Sequence, residues 1–311
     1  MTSVVVLSGG VGGARFVRGL VDAVGPENVT VVGNVGDDDE FFGLHVSPDL
    51  DSIVYALADL HDAQRGWGRR RETWNALETA KALDDDETWF RLGDRDLGLH
   101  LVRTKALRAG EPLSAVTARI VKAFGVGVRV LPATDHRLRT IVETPSGALS
   151  LQEWFVARHG RDAVDGVRFE GAAFAKPAPG VLDAVERASV VLIAPSNPYI
   201  SIWPILAVRG IRDAVRRTSR PVVGVSPLIG GKAVKGPADR MLRRLAGGTS
   251  PAHVARCYTG LLDALVIDEA DAAGARGVEK AGVRPQVTRT LMRDRRAARR
   301  LAGAALEAAG T

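Results

Sequence analysis

The chain reads as a Rossmann-like α/β protein: a doubly wound, mainly parallel sheet carrying a mostly helical insertion. Three observations predict this. Short apolar runs rich in β-branched residues recur, and most are followed by a segment of helical spacing. The first run ends in a glycine-rich turn over residues 8–13. Later runs end in polar loops, and in sheets of this kind ligands bind outside the carboxyl ends of the strands.

Taken in order, Val4-Val5-Val6-Leu7 predicts a strand buried on both faces. Residues 14–24 then place Phe16, Val17, Leu20, Val21 and Val24 at helical spacing, and Gly25-Pro26 stops the helix. Residues 29–33 predict the second strand of a βαβ unit. Residues 67–124 read mainly as helices, and residues 137–151 as a hairpin turning at Pro145-Ser146-Gly147. These belong to a capping insertion of roughly 65–175. No Gly/Ser-rich or Pro-rich linker sets it apart, so residues 1–311 read as one domain. Residues 189–194, 221–226 and 264–268 predict further central strands.

With 46% hydrophobic and 25% charged residues over 311 positions, the chain can bury a substantial core. The net charge of +6 is dispersed, with its only dense run at the C-terminus, where Arg293, Arg295, Arg296, Arg299 and Arg300 read as the wet face of a helix. That balance suits phosphate-bearing small molecules. It does not suit nucleic acid, since no basic stripe interleaves with aromatics. The single cysteine, Cys257, excludes an intrachain disulfide and points to a buried residue in a cytoplasmic protein. No signal peptide and no segment long enough to cross a bilayer is expected.

The densest chemical signal lies between residues 37 and 51, where Asp37, Asp38, Asp39, Glu40, Asp49 and Asp51 place six carboxylates in one loop region. Like charges this close need a cation or hydrogen-bond donors. Asp49-Leu50-Asp51 follows Ser47-Pro48 and precedes an apolar helix. A helix cap explains one carboxylate, not both, and the pair suits a shared Mg²⁺ or ligand hydroxyls. Gly9, Gly10, Gly12 and Gly13 offer backbone N–H groups at a helix start, an anion site. The turn is not a Walker loop, and the third glycine of a dinucleotide fingerprint falls on Arg15. Ser196, Asn197 and Ser201 follow one strand. Gly231, Lys232 and Lys235 follow the next and suit a diphosphate. Gly93-Asp94-Arg95-Asp96-Leu97-Gly98 is another acidic turn, even between a turn and a site. The six histidines show no metal-ligand spacing, and only His45 adjoins the acidic loop.

Together these loops resemble the 2-phospho-L-lactate transferase family (CofD-like). The resemblance runs nearly end to end and rests on the 8–14 glycine turn, Asn34-Val35-Gly36-Asp37-Asp38, residues 43–52, residues 93–97, Pro195-Ser196-Asn197-Pro198 and residues 230–237. It implies a Mg²⁺-dependent transferase of coenzyme F(420) biosynthesis. The acceptor would be the ribityl hydroxyl of a deazaflavin, Fo. The donor would be a guanosine diphosphate ester of a three-carbon acid, and GMP would leave. The acid is lactate in archaeal members and phosphoenolpyruvate-derived in actinobacterial ones. The abundance of Ala, Arg, Asp and Gly leans toward the latter. The resemblance further implies a homodimer with small-molecule partners and neither nucleic acid nor membrane.

On this reading Asp49 and Asp51 sit at the metal and the attacking hydroxyl, one of them as general base. Asp37, Asp38 and Asp94 are further metal candidates. Asp51, Ser52 and Trp89 face the deazaflavin with Asp49, while Trp67 and Trp74 are weaker stacking candidates. Asp51→Asn is expected to abolish transfer without unfolding the protein. The alternatives are a nucleotide-sugar-binding regulator of the same fold and a metal-dependent glycosyltransferase.

Overall fold

The computed structural model describes residues 3–62 and 64–310. Its centre is a sheet of β1 (Val4–Ser8), β2 (Val29–Gly33), β3 (Arg129–Pro132), β4 (Val190–Ile193), β5 (Val222–Val225), β6 (Ala264–Asp268) and β7 (Arg284–Thr288). The spatial order is β7-β6-β5-β4-β1-β2-β3, and every neighbouring pair is parallel. The winding reverses between β1 and β4, as the doubly wound reading expects. In β1, Val4 pairs with both Val29 and Val190, and Val4 to Leu7 are almost fully buried. That two-sided burial is why these strands are continuous apolar runs rather than alternating ones.

Four helices matter for the site: α1 (Gly10–Val24), α2 (Pro48–Leu57), α3 (Asp94–Arg108) and α4 (Arg295–Ala308). α1 packs on both α2 and α4. Gly19 permits the second contact, because a β-carbon there would lie 2.3 Å from the Ala298 carbonyl carbon. Ala297, Ala298 and Leu301 of α4 are buried, while Arg296, Arg299 and Arg300 stay exposed. Arg295 reaches Asp22 of α1 at 2.7 Å. Among the described residues no helix is long and apolar enough to cross a membrane.

The segment read as an insertion divides around a sheet strand. Helices Asn75–Ala82, α3 and Leu113–Ala123 come first. Then β3 returns to the central sheet, pairing Thr30 with Arg129 and Gly33 with Pro132. The expected hairpin follows, with Gly166–Glu170 added as a third antiparallel strand beside Arg139–Thr144. β3 and β7 escaped the sequence reading for one reason. Both are edge strands, short and interrupted by Arg and Pro, and an edge needs no continuous apolar run.

Candidate active site

Loops after β1, β2, β4, β5 and β7, together with the cap, enclose a cavity of about 1010 Å³. A pocket for one small ligand spans roughly 300–1,000 Å³, and this cavity lies at the top of that range.

The glycine turn forms its floor. Gly9, Gly10 and Gly12 line the cavity; Gly13 lies beneath it. Gly10 adopts φ +69°, a left-handed conformation that favours glycine. A β-carbon on Gly9 would stand 2.4 Å from Asp49 Oδ2, and one on Gly13 2.5 Å from the hydroxyls of Ser8 and Ser196. Packing therefore accounts for some of these glycines. The Ser196 hydroxyl donates to the Gly9 carbonyl at 2.6 Å, tying the β4 loop to the β1 loop. Arg15, in the second turn of α1, lines the cavity, and its side chain forms no hydrogen bond or ion pair among the described residues.

Two carboxyls converge on this floor. Asn34, buried at the end of β2, donates through Nδ2 to Asp49 Oδ2 at 2.9 Å, to Asp37 Oδ1 at 3.4 Å and to the Ile200 carbonyl at 3.1 Å. The Gly10 N–H also donates to Asp49, whose carboxyl is pushed up to about 6 by burial against those opposing hydrogen bonds. Burial first, then the charges of Asp49 and Asp38, holds Asp37 well above the ordinary carboxylate range. Asn34 Nδ2 bridges the two carboxyls, and their closeness disfavours both being charged at once.

Among the described residues no group of three or more His, Cys, Asp or Glu side chains is gathered for a metal. Mg²⁺, however, is commonly held by one or two carboxylates, with waters and substrate phosphates completing the shell. Asp37 and Asp49 fit that pattern: hard oxygen donors, lining the cavity, whose mutual repulsion a dication would relieve.

Two expected metal ligands lie elsewhere. Asp38 does not line this cavity; its Oδ2 accepts from the Ser47 hydroxyl at 2.7 Å and lies 3.1 Å from His45 Nε2. Asp94 also lies off the cavity. Its carboxylate accepts from Thr73 Oγ1 at 2.6 Å, Asn75 Nδ2 at 2.8 Å and the Ala76 N–H at 3.0 Å, and these bonds hold it well below the usual range. It ties the start of the Asn75–Ala82 helix to α3, away from the cavity.

Asp49 and Asp51 have different neighbours. Both lie in the first turn of α2, which starts at Pro48 after Ser47. Residues two apart point about 200° apart around a helix. Asp49 faces the glycine turn, whereas Asp51 faces α3. There Arg103 donates through Nη1 to Asp51 Oδ2 at 2.9 Å and through Nη2 to Oδ1. Arg103 is 1% exposed. His100 adjoins the pair, its Nδ1 3.4 Å from Arg103 Nη1 and 3.9 Å from Asp51 Oδ2. Burial lowers the imidazole to about 4, which keeps it neutral. One helical turn along α2, the Tyr55 hydroxyl donates to Asp96 Oδ1 at 2.7 Å, and burial pushes Asp96 up to about 6. Asp51, Ser52, Tyr55, Asp96 and His100 all line the cavity. Asp96, His100 and Arg103 fall on one face of α3 at i, i+4 and i+7, a spacing that would have marked them. The sequence marked Asp96 only as part of the acidic turn at 93–98 and gave His100 and Arg103 no role, because they lie beyond that motif.

On the cap side, Trp67 and Trp89 line the cavity partly exposed, and Trp74 does not line it. The Arg65 guanidinium lies 5.5 Å from the Trp67 ring and 5.1 Å from the Trp74 ring, and the Arg91 guanidinium lies 4.5 Å from the Trp74 ring. Across the mouth, Ser196, Asn197, Ser201 and Lys235 line the cavity as expected. Gly231 and Lys232 do not. The N–H groups of Gly230 and Gly231 donate to Asp271 at 2.8 and 2.9 Å, so that turn is pinned to the protein rather than open to a phosphate.

Comparison with known proteins places this geometry. Residues 4–302 match the family model described as 2-phospho-L-lactate transferase CofD. The chain is 45% identical to the phosphoenolpyruvate transferase of Streptomyces griseus, over 98% of both chains. It is 44% identical to that of Thermobifida fusca, over 98% of this chain and 97% of the relative. It is 41% identical to that of Mycolicibacterium smegmatis, over 99% and 98%. A crystal structure of a Bacillus halodurans protein superposes with TM-score 0.66 at 19% identity, covering 98% and 99%; a second, described as a member of the UPF0052 family, gives 0.65 at 18%. At that identity the likeness is one of fold.

Proposed function

The chain belongs to the CofD family, and from that premise we propose that it moves a phosphoenolpyruvyl group from its guanosine diphosphate ester to the ribityl hydroxyl of the deazaflavin Fo. The observation that carries this reading is the near end-to-end identity with proteins named phosphoenolpyruvate transferase. The acceptor oxygen bonds to the donor's β-phosphorus, the bond from that phosphorus to GMP breaks, and GMP leaves with the electron pair. The acceptor's proton is lost to solvent.

Such a transfer needs positioning and charge neutralisation more than covalent help from the protein. The N–H groups of Val11 and Gly12 in the first turn of α1, with Asn197, Arg15 and Lys235, cradle the donor's phosphates. Asp37 and Asp49 hold Mg²⁺. When bound, Mg²⁺ offsets the negative charge of the diphosphate. Asp51, committed to Arg103, orients the acceptor rather than stripping its proton early. Trp67 and Trp89 supply flat apolar faces for a tricyclic ring.

The test is direct. Purified protein is incubated with Mg²⁺, Fo and either guanylated enolpyruvate or guanylated lactate, and the deazaflavin is followed by fluorescence-detected chromatography and mass. The expected result is a phosphodiester product with the enolpyruvyl donor. Product with the lactyl donor alone reassigns the acid. Absence of product in both overturns the transferase reading.

A further inference from the structure

The wall formed by α2 and α3 carries more information than a list of polar groups. Arginine has donors only. With Arg103 Nη1 directed at His100 Nδ1 at 3.4 Å, that ring nitrogen must accept, so the proton of the neutral imidazole is on Nε2. Nε2 has no hydrogen-bond partner among the described residues, and the ring lines the cavity. Beside it, Asp51 has both oxygens anchored by the same guanidinium, yet each keeps a further acceptor site. Arg103 therefore fixes a donor and an acceptor side by side. On the next turn, the Tyr55 hydroxyl donates to Asp96 Oδ1 rather than to Asp51.

We infer that His100 Nε2–H and the Asp51 carboxylate form a hydroxyl-binding pair, which holds an alcohol group of the acceptor's polyol chain, with Arg103 as the positioning residue that sets the His100 tautomer. An alcohol is the simplest group that donates and accepts at one atom. It donates to Asp51 and accepts from His100, and its oxygen keeps one lone pair free. His100 is thus a ligand-binding donor and not a general base, since the nitrogen that would take a proton faces a cation. The identity of the acceptor rests on the reading under Proposed function; the tautomer does not.

Two measurements separate these. In protein labelled with ¹⁵N-histidine, two-bond ¹H–¹⁵N correlation spectra at pH 7 report the tautomer, with the His100 signals identified by their loss in His100→Gln. A neutral ring protonated at Nε2 is expected; a ring protonated at Nδ1, or at both nitrogens, overturns the inference. Fo binding is then measured by fluorescence titration. Glutamine returns an N–H near the position of Nε2, whereas leucine fills the space without a donor. His100→Leu is expected to weaken Fo about tenfold and His100→Gln by no more than about threefold, with donor KM unchanged in both. Equal losses in the two variants, or none, overturn the assigned pair. A wild-type protein that shows the tautomer and binds no Fo overturns the acceptor named above, and with it the ligand assigned to this wall, while the tautomer stands.

Discussion

Asp51→Asn tests the architecture of the site before it tests the chemistry. The sequence alone suggested a variant that stays folded and loses transfer. The Arg103–Asp51 pair changes that expectation. The side chains are 2% and 7% exposed and joined by two hydrogen bonds. Neutralising Asp51 leaves a guanidinium buried without its counter-charge, which costs about 3–5 kcal/mol. For 311 residues the unfolding entropy near Tm is about 0.65 kcal/mol per degree, so the loss corresponds to a Tm drop of about 5–8 °C. The assay is thermal unfolding by circular dichroism at fixed pH and salt, on Asp51→Asn, Arg103→Gln and the double variant. The double variant should recover about 1–3 kcal/mol relative to the sum of the singles, since two neutral amides leave no stranded charge. A Tm for Asp51→Asn within a degree or so of wild type, or strict additivity, would refute the buried-pair argument. It would also return Asp51 to the role of a free base.

Three further outcomes follow from the same geometry. Gly9→Ala places a methyl 2.4 Å from Asp49 Oδ2 and 2.9 Å from Ser201 Cβ, so it should cost about 1–3 kcal/mol in denaturant unfolding and abolish most transfer by displacing Asp49. Asp96 has a folded pKa of about 6, above its unfolded value, so the folded state binds the extra proton and this group's contribution to stability falls as pH rises from about 4 to 6. Asp96→Asn removes that loss and should unfold about 2–3 kcal/mol later than wild type at pH 7.5, with the difference vanishing near pH 4; an unchanged difference across pH would contradict it. Added MgCl₂ at a hundred times Kd should stabilise the wild type by about 2.7 kcal/mol, leave Asp37→Asn unaffected, and act normally on Asp94→Asn, whose carboxylate is engaged away from the cavity.

The legibility of the sequence followed the physics of each element. Strands buried on both faces announce themselves, and β1, β2, β4, β5 and β6 were readable from apolar runs alone. Edge strands do not, and β3 and β7 were missed. Local motifs located the cavity, because glycine turns and polar loops at strand ends have few other uses. They did not tell which carboxylate faces it. Asp94 and Asp37 look alike in sequence, yet one caps a helix and the other faces a second acid; the difference lies in Thr73, Asn75 and Asn34, which no spacing rule connects to them. Arg103 lies 52 residues from Asp51, and only the packing of α3 on α2 brings them together.

The same packing explains how the two carboxylates of Asp-Leu-Asp come to meet different neighbours. Because a helix turns about 100° per residue, an acid–apolar–acid triplet at its start sends one carboxylate to each side and the middle side chain into the core. Leu50 is 1% exposed, and Gly33 allows its approach, since a β-carbon there would meet Leu50 Cδ2 at 2.4 Å. Leu50 thus fixes the rotation of α2, and with it both acids. Asp49 is turned to the glycine turn and Asn34, where a donor's phosphates would lie. Asp51 is turned to Arg103 and His100, where an acceptor's hydroxyls would lie. A transfer reaction needs its two substrates on opposite sides of the reacting atom, and on the proposed reading one short helix, locked by one leucine, would set both sides at once.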